Sequence, residues 1–255
     1  MRSMYAVFKR EVKAYFTQPL AYVMMGGLLL IVGFLYYLSF RWFLGVSFEA
    51  MRNPMFAREL DLGAMVVSAT IGTIGVISVF TLPLLTMRLW AEEKRAGTVE
   101  LLLTFPLRDS DIVLGKFFAA LAVYGVLLLL TACYPLLTST FGRLDPGPIL
   151  SGYLGTLLLG AALLSLGFLC STWTENQIVA CVLAWAGFLF FWLIGHAADF
   201  AGELGTLFKH VSFANHHDNF IKGVVETQDI AYFVLFSLFC LFLTLRSIES
   251  TRWRG

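Results

Sequence analysis

The sequence predicts an all-α membrane protein built on six transmembrane helices, and three observations predict it. Hydrophobic residues make up 58% of the 255 and charged residues only 14%, whereas a soluble globular chain carries about 25% charged residues. The mean hydropathy is +0.78. Six stretches reach or approach the roughly 20 apolar residues that a helix needs to cross a hydrocarbon core about 30 Å thick.

The spans run approximately Leu20 to Phe40, Ala64 to Leu89, Ile112 to Phe141, Ile149 to Thr172, Gln177 to Ala198 and Ile230 to Leu245. The last is the shortest. Gaps such as Trp173 to Asn176 leave no room for a soluble domain, and the sizeable polar intervals are Arg41 to Gly63, Trp90 to Asp111 and Asp199 to Asp229. Residues 1–255 therefore read as a single transmembrane domain.

Ahead of the first span, residues 1–18 read as an interfacial helix. At 100° per residue Met4, Tyr5, Phe8, Val12, Tyr15 and Phe16 share an apolar arc, with Lys9, Arg10 and Lys13 outside it. Such a helix lies among the lipid headgroups with its cations towards anionic lipid; the alternative is a basic flank that merely orients the first span. Gln18-Pro19 predicts an elbow, because the residue before proline is biased away from the α region. No small-residue cleavage pattern follows the first apolar stretch, so it is expected to remain as a span.

Lys and Arg, counted on alternate sides, divide 12 against 6 of the 18. The richer side holds Arg2, Lys9, Arg10, Lys13, Arg88, Lys94, Arg95, Arg108, Lys116, Arg246, Arg252 and Arg254. The positive-inside rule makes that side cytoplasmic, with both termini on it. A net charge of +1 gives no reason to expect nucleic acid. All four cysteines lie in apolar segments, where a thiol behaves as a small hydrophobe, so neither a disulfide framework nor a zinc site is expected.

The interval 88–111 is the most informative. It opens with Arg88, Glu92 and Glu93; Gly97-Thr98 offers a helix stop and a new N-cap. Val99, Leu101, Leu102, Leu103 and Phe105 then form an apolar run too close to charges to be in the bilayer, and Pro106 ends it. Asp109, Ser110 and Asp111 would cap the next span, with carboxylates at the positive end of its dipole. A leucine-rich exposed turn calls for a protein partner, or else rests on the membrane surface.

The run EEKRAGTVELLLTFPLRDSDIVLGKF resembles the loop between spans two and three in permease subunits of type-2 ABC (ABC-2) transporters, especially the gliding-motility and nitrous-oxide-reductase-maturation subgroup. The E-x-x-x-G-T-x-x-x-L-L-x-x-P pattern is met by Glu93, Gly97, Thr98, Leu102, Leu103 and Pro106. The resemblance implies a cytoplasmic coupling helix that docks on a separate ATPase. Glu92 and Glu93 would then brace the end of span two, Gly97 and Thr98 would form the bend, and Leu101, Leu102 and Phe105 would present the docking face. It also implies that the elbow helix (Tyr5, Phe8, Lys9, Arg10, Val12, Lys13) helps cradle that ATPase, and that the extracytoplasmic interval 199–229 holds two re-entrant half-helices. Two ATPase copies, carrying ATP and Mg, and a second permease copy or related subunit are the implied partners, beside membrane lipid. The chain has no G-x-x-x-x-G-K-[ST] loop, Gly115-Lys116-Phe117 lacking both the first glycine and the hydroxyl, so nucleotide must be bound by another polypeptide. No cofactor is expected in this chain.

His196, His210, His216, His217 and Asp218 suggest a metal only weakly, because the two adjacent histidines point to different helix faces and no established ligand spacing occurs. Within span two Thr70, Thr73, Ser78 and Thr81 share one side of a helix, a candidate translocation path, although small polar residues also mediate ordinary helix packing. Gly160, Ala161, Ser165 and Gly167 in span four form a small-residue packing surface. The near absence of charges from the span centres disfavours an ion-driven carrier. The expected function is an ATP-driven permease subunit, by its resemblance an exporter; a metal-dependent intramembrane enzyme and a scaffold recruiting a cytoplasmic partner are the other classes.

Overall fold

Among the described residues helix follows helix. The computed structural model describes residues 2–17, 19–52, 61–98, 108–198, 202 and 205–252. Helix α1 (Arg2–Thr17) precedes α2 (Pro19–Arg52). A π-helical turn, Gly63–Ser68, runs into α3 (Ala69–Thr86), and the short α4 (Ala91–Arg95) follows. Next come α5 (Asp109–Thr131), α6 (Cys133–Thr138), α7 (Pro146–Thr172) and α8 (Gln177–Ala197). The short pair α9 (Gly205–Val211) and α10 (Phe213–Ile221) leads to α11 (Thr227–Arg252). Among the described residues six segments are long and apolar enough to cross a membrane: Ala21–Arg52, Gly63–Arg95, Asp109–Thr138, Pro146–Thr172, Gln177–Ala197 and Thr227–Ser250. They are called spans 1 to 6.

Three boundaries differ from the sequence reading. Span 1 does not stop at Phe40 but continues to Arg52, because Trp42, Phe43, Leu44, Val46 and Phe48 prolong the apolar pattern with no proline before Pro54. Helix α2, which carries it, has 34 residues and is about 51 Å long, more than the bilayer core requires. Arg41 is accommodated by reaching back one turn, its guanidinium 3.3 Å from the Tyr37 hydroxyl. Span 6 likewise exceeds its expected length at both ends, having neither glycine nor proline to stop it. Span 3 is interrupted at Ala132. Pro135 has no N–H with which to bond the Thr131 carbonyl, so the backbone ladder breaks there.

Span 4 is the central helix, packed against spans 2, 3, 5 and 6 and against α10. Its small residues make that possible. A Cβ on Gly160 would overlap the Tyr124 ring, and one on Gly167 would overlap Thr86. Span 4 is anchored at its start by Asp145, whose carboxylate accepts the Gly147 N–H at 3.0 Å, with Pro146 in the first turn. Large apolar side chains such as Leu30, Phe34, Leu129, Leu150 and Phe239 remain on the outside of the bundle, as lipid contact requires.

Helix α1 lies against span 3. The face it presents is Ser3, Val7, Glu11 and Ala14, spaced at three and four residues, with Val7 buried against Gly115. Tyr5, Lys9 and Lys13 are exposed, and Phe8 and Val12 half-buried. The apolar arc read from the sequence therefore divides: Tyr15 and Phe16 pack on the bundle, Tyr15 donating to Leu85 O at 3.4 Å, whereas Tyr5 is exposed. Glu11 also lies on the packed side, and its charge is answered there by other charges.

Candidate functional site

After α3 the chain makes a tight turn over residues 87–90 and winds into α4. Trp90 and Ala91 are buried, fixing the turn to the bundle. Arg88 and Glu92 close it from outside with a two-pronged pair, Nε–Oε2 at 2.9 Å and NH2–Oε1 at 2.8 Å. Two parallel charge-assisted bonds fix direction as well as distance.

The next residue turns the other way. Glu93 Oε1 lies 2.9 Å from the Lys116 ammonium of span 3 and 3.2 Å from Arg10 of α1. Lys116 also reaches Glu11 Oε1 at 3.2 Å, and Arg10 pairs with the same oxygen at 2.7 Å. Two cations and two carboxylates thus join α1, α4 and the start of span 3. The Lys116 side chain is 2% exposed and Glu93 15%, so water screens little of it. Burial alone would raise the Glu11 carboxyl, but Lys116 and Arg10 outweigh that and hold it below its ordinary value. Glu93 Oε2 is buried and accepts no hydrogen bond among the described residues. Nearby, Ser3 Oγ donates to Asp111 at 2.5 Å, a second link between α1 and the first turn of span 3.

Lys94 ties the same short helix to span 4. Its ammonium donates to the Thr172 carbonyl at 2.7 Å, at the helix terminus where a cation meets the negative end of the dipole. The Thr172 hydroxyl is 2.9 Å from that of Ser247 in span 6. Glu93 and Lys94 therefore engage α1 and spans 3 and 4 directly, and span 6 through Thr172.

Helix α4 ends as the sequence predicts, at Gly97. Its φ of +66° is left-handed, the Gly97 N–H bonds to Lys94 O at 3.1 Å, and the Thr98 N–H to Glu93 O at 3.1 Å. That pair of bonds is the Schellman arrangement. The Thr98 hydroxyl donates back to Glu93 O at 3.3 Å, so it serves the end of α4. Gly97→Ala is expected to cost about 1–2 kcal/mol through the left-handed penalty, with Gly97→Asn recovering much of it; thermal unfolding of the two variants in detergent checks this. Leu101, Leu102, Phe105 and Pro106 lie outside the described residues. Asp109 and Asp111 sit in the first turn of span 3, but Arg108 is the N-cap and caps with no side-chain bond.

The span 2 hydroxyls divide. All four donate to the carbonyl four residues back, Thr70 at 2.6 Å, Thr73 at 2.9 Å, Ser78 at 2.7 Å and Thr81 at 3.1 Å. Thr70 and Ser78 are buried; Thr73 and Thr81 are half-buried. Ser78 also meets Tyr124 of span 3 at 2.9 Å, and Tyr124 donates to Thr156 O of span 4 at 3.3 Å. Thr156 Oγ1 is 3.0 Å from His217 Nε2 on α10. His216 diverges, its Nδ1 2.5 Å from Asp229 at the start of span 6, where Asn219 holds the other carboxylate oxygen at 3.0 Å. Tyr124, Thr156 and Asp229 were not singled out from the sequence, since their partners lie far along the chain and no spacing rule connects them.

The sequence profile described as ABC-2 family transporter protein matches residues 61–246, which takes in α4, its glycine stop and the ion cluster's Glu93 and Lys116. The chain belongs to the ABC-2 transporter family. It is thus an integral membrane component of an ABC transporter and not an enzyme on its own; members of this family typically work with a cytoplasmic ATPase. No curated protein sequence matches the chain. In this ABC-2 protein the loop between spans 2 and 3 has its stem built into the bundle, whereas α1 lies ahead of the matched region.

Proposed function

We propose that this chain is the permease subunit of an ATP-driven exporter of the gliding-motility or nitrous-oxide-reductase-maturation kind, with both termini cytoplasmic. Interval 88–111 receives force from a separate ATPase that binds ATP and Mg. Two ATPases and a second permease copy or related subunit complete the transporter.

The observation that carries this reading is the attachment of α4. A load applied beyond Gly97 enters a five-residue helix that has no length in which to dissipate it. Glu93 passes it to span 3 and α1, and Lys94 to span 4. Charge-assisted contacts suit that purpose, being directional and short. The apolar run from Leu101 to Phe105 supplies the docking face and Pro106 its end. Helix α1, fixed to span 3 and to α4, supports the same partner with Lys9 and Lys13 exposed. Thr73 and Thr81 face outward from span 2, where a second permease would complete a path between the copies.

The test is purification of the tagged chain from native membranes in mild detergent. An ATP-hydrolysing protein is expected to copurify, and Leu102→Asp to reduce its recovery at least tenfold while thermal unfolding of the permease stays unchanged. Full recovery with Leu102→Asp would overturn the docking face.

A further inference from the structure

The break in span 3 has a second consequence. Beyond Ala132 the short helix α6 is drawn towards span 1, where the Tyr134 hydroxyl donates to Leu29 O at 2.7 Å and Thr138 meets Tyr36 at 3.1 Å. The rest of span 3 stays with span 4 through Tyr153 and Thr131, 3.2 Å apart. A wedge opens between α6 and the start of span 4. Gly125, Leu129, Ala132 and Leu136 form one wall and Leu150 and Leu154 the other of an open cleft of about 790 Å³. A Cβ on Gly125 would meet nothing within 4 Å.

We propose that this wedge is a binding site for one acyl chain of a phospholipid whose phosphate sits on Arg143. Its volume falls in the roughly 300–1,000 Å³ range of ligand clefts. On span 4 it extends from Pro146 to Leu157, about 16 Å of helix, which is one leaflet of a hydrocarbon core about 30 Å thick. An almost wholly apolar lining of that length suits a flexible hydrocarbon chain.

The mouth supplies the charge. Arg143 lies in the turn between α6 and span 4, next to Leu144, which lines the wedge. It is exposed and makes no ion pair among the described residues. Asp145, the one carboxylate in that turn, accepts the Gly147 N–H. A guanidinium offers a phosphate two parallel bonds, so an anionic phospholipid is held at both ends. Placing this lipid in the outer leaflet rests on the orientation proposed above; the wedge and its cation do not.

Native mass spectrometry of the complex in mild detergent tests this, with phosphatidylglycerol and phosphatidylcholine as probes. The unmodified protein is expected to keep one phosphatidylglycerol through delipidation, about tenfold in preference to phosphatidylcholine. Gly125→Phe with Ala132→Phe fills the wedge and loses it, while Arg143→Gln abolishes the preference between the lipids. Retention of the lipid by the filled variant at an unchanged melting temperature would overturn the site. So would a filled variant that loses self-association and not lipid, or an Arg143→Gln variant that keeps the preference. Labelling of Ser139→Cys in intact cells by an impermeant thiol reagent separately confirms the outer leaflet; labelling from the cytoplasm alone moves the lipid to the inner leaflet and overturns the orientation, leaving the lipid count to decide the site.

Discussion

Lys116→Ala is expected to destabilise the protein by about 3–5 kcal/mol, the usual cost of removing one partner from a buried ion pair. The ammonium is 2% exposed and lies within 3.2 Å of both Glu11 and Glu93. Without it the two carboxylates face one another with only Arg10, half exposed, between them. Thermal unfolding in detergent measures the loss. Lys116→Met combined with Glu11→Gln and Glu93→Gln is expected to restore much of it, because the three most buried charges are then gone and the remaining one, Arg10, is half exposed to water. A loss under about 1 kcal/mol for Lys116→Ala would mean that water screens the cluster after all.

The same cluster fixes a pH dependence. The Glu11 carboxyl is held below its unfolded value of 4.5. Folding therefore favours the ionised form, and this contribution is complete above that value. It is lost as pH falls through the lower, folded value. Unfolding temperature is expected to drop in mild acid, and the drop to shrink in Glu11→Gln.

What the sequence could reveal here followed from local chemistry. Span existence depends on composition over 20 residues, and the stop at Gly97 on one residue's tolerance of a left-handed backbone; both were readable. Span ends were less so, because Arg41 looks like a boundary until Tyr37 is seen to receive it. The charges told less still. From sequence Arg10 read as a cation turned to lipid, Lys116 as a topology charge and Glu93 as a brace of span two, and nothing joined them, since their pairings lie 23 to 105 positions apart. Glu11 was passed over for the same reason. Its neighbours on α1 suggested a lipid-facing helix, whereas Val7 packs on Gly115 and Tyr15 reaches Leu85 O of span 2, turning that side to protein.

Gly160 and Gly125 should respond oppositely to the same substitution. Replacing a helical glycine by alanine gains about 1 kcal/mol of helix propensity. At Gly125 nothing opposes the gain, since the added methyl enters the open wedge, and the melting temperature is expected to rise. At Gly160 the methyl would overlap the Tyr124 ring. Tyr124 cannot easily give way, because its hydroxyl is held between Ser78 and Thr156 and each bond contributes about 1 kcal/mol. Overpacking at about 1–3 kcal/mol together with the strained bonds exceeds the propensity gain, leaving Gly160→Ala about 2 kcal/mol less stable. Adding Tyr124→Phe to Gly160→Ala frees the ring to move, at the expense of its own two bonds. If ring fixation is the cause, the double variant loses less than the sum of the two single ones. Strict additivity would instead place the constraint in the backbone approach of spans 3 and 4.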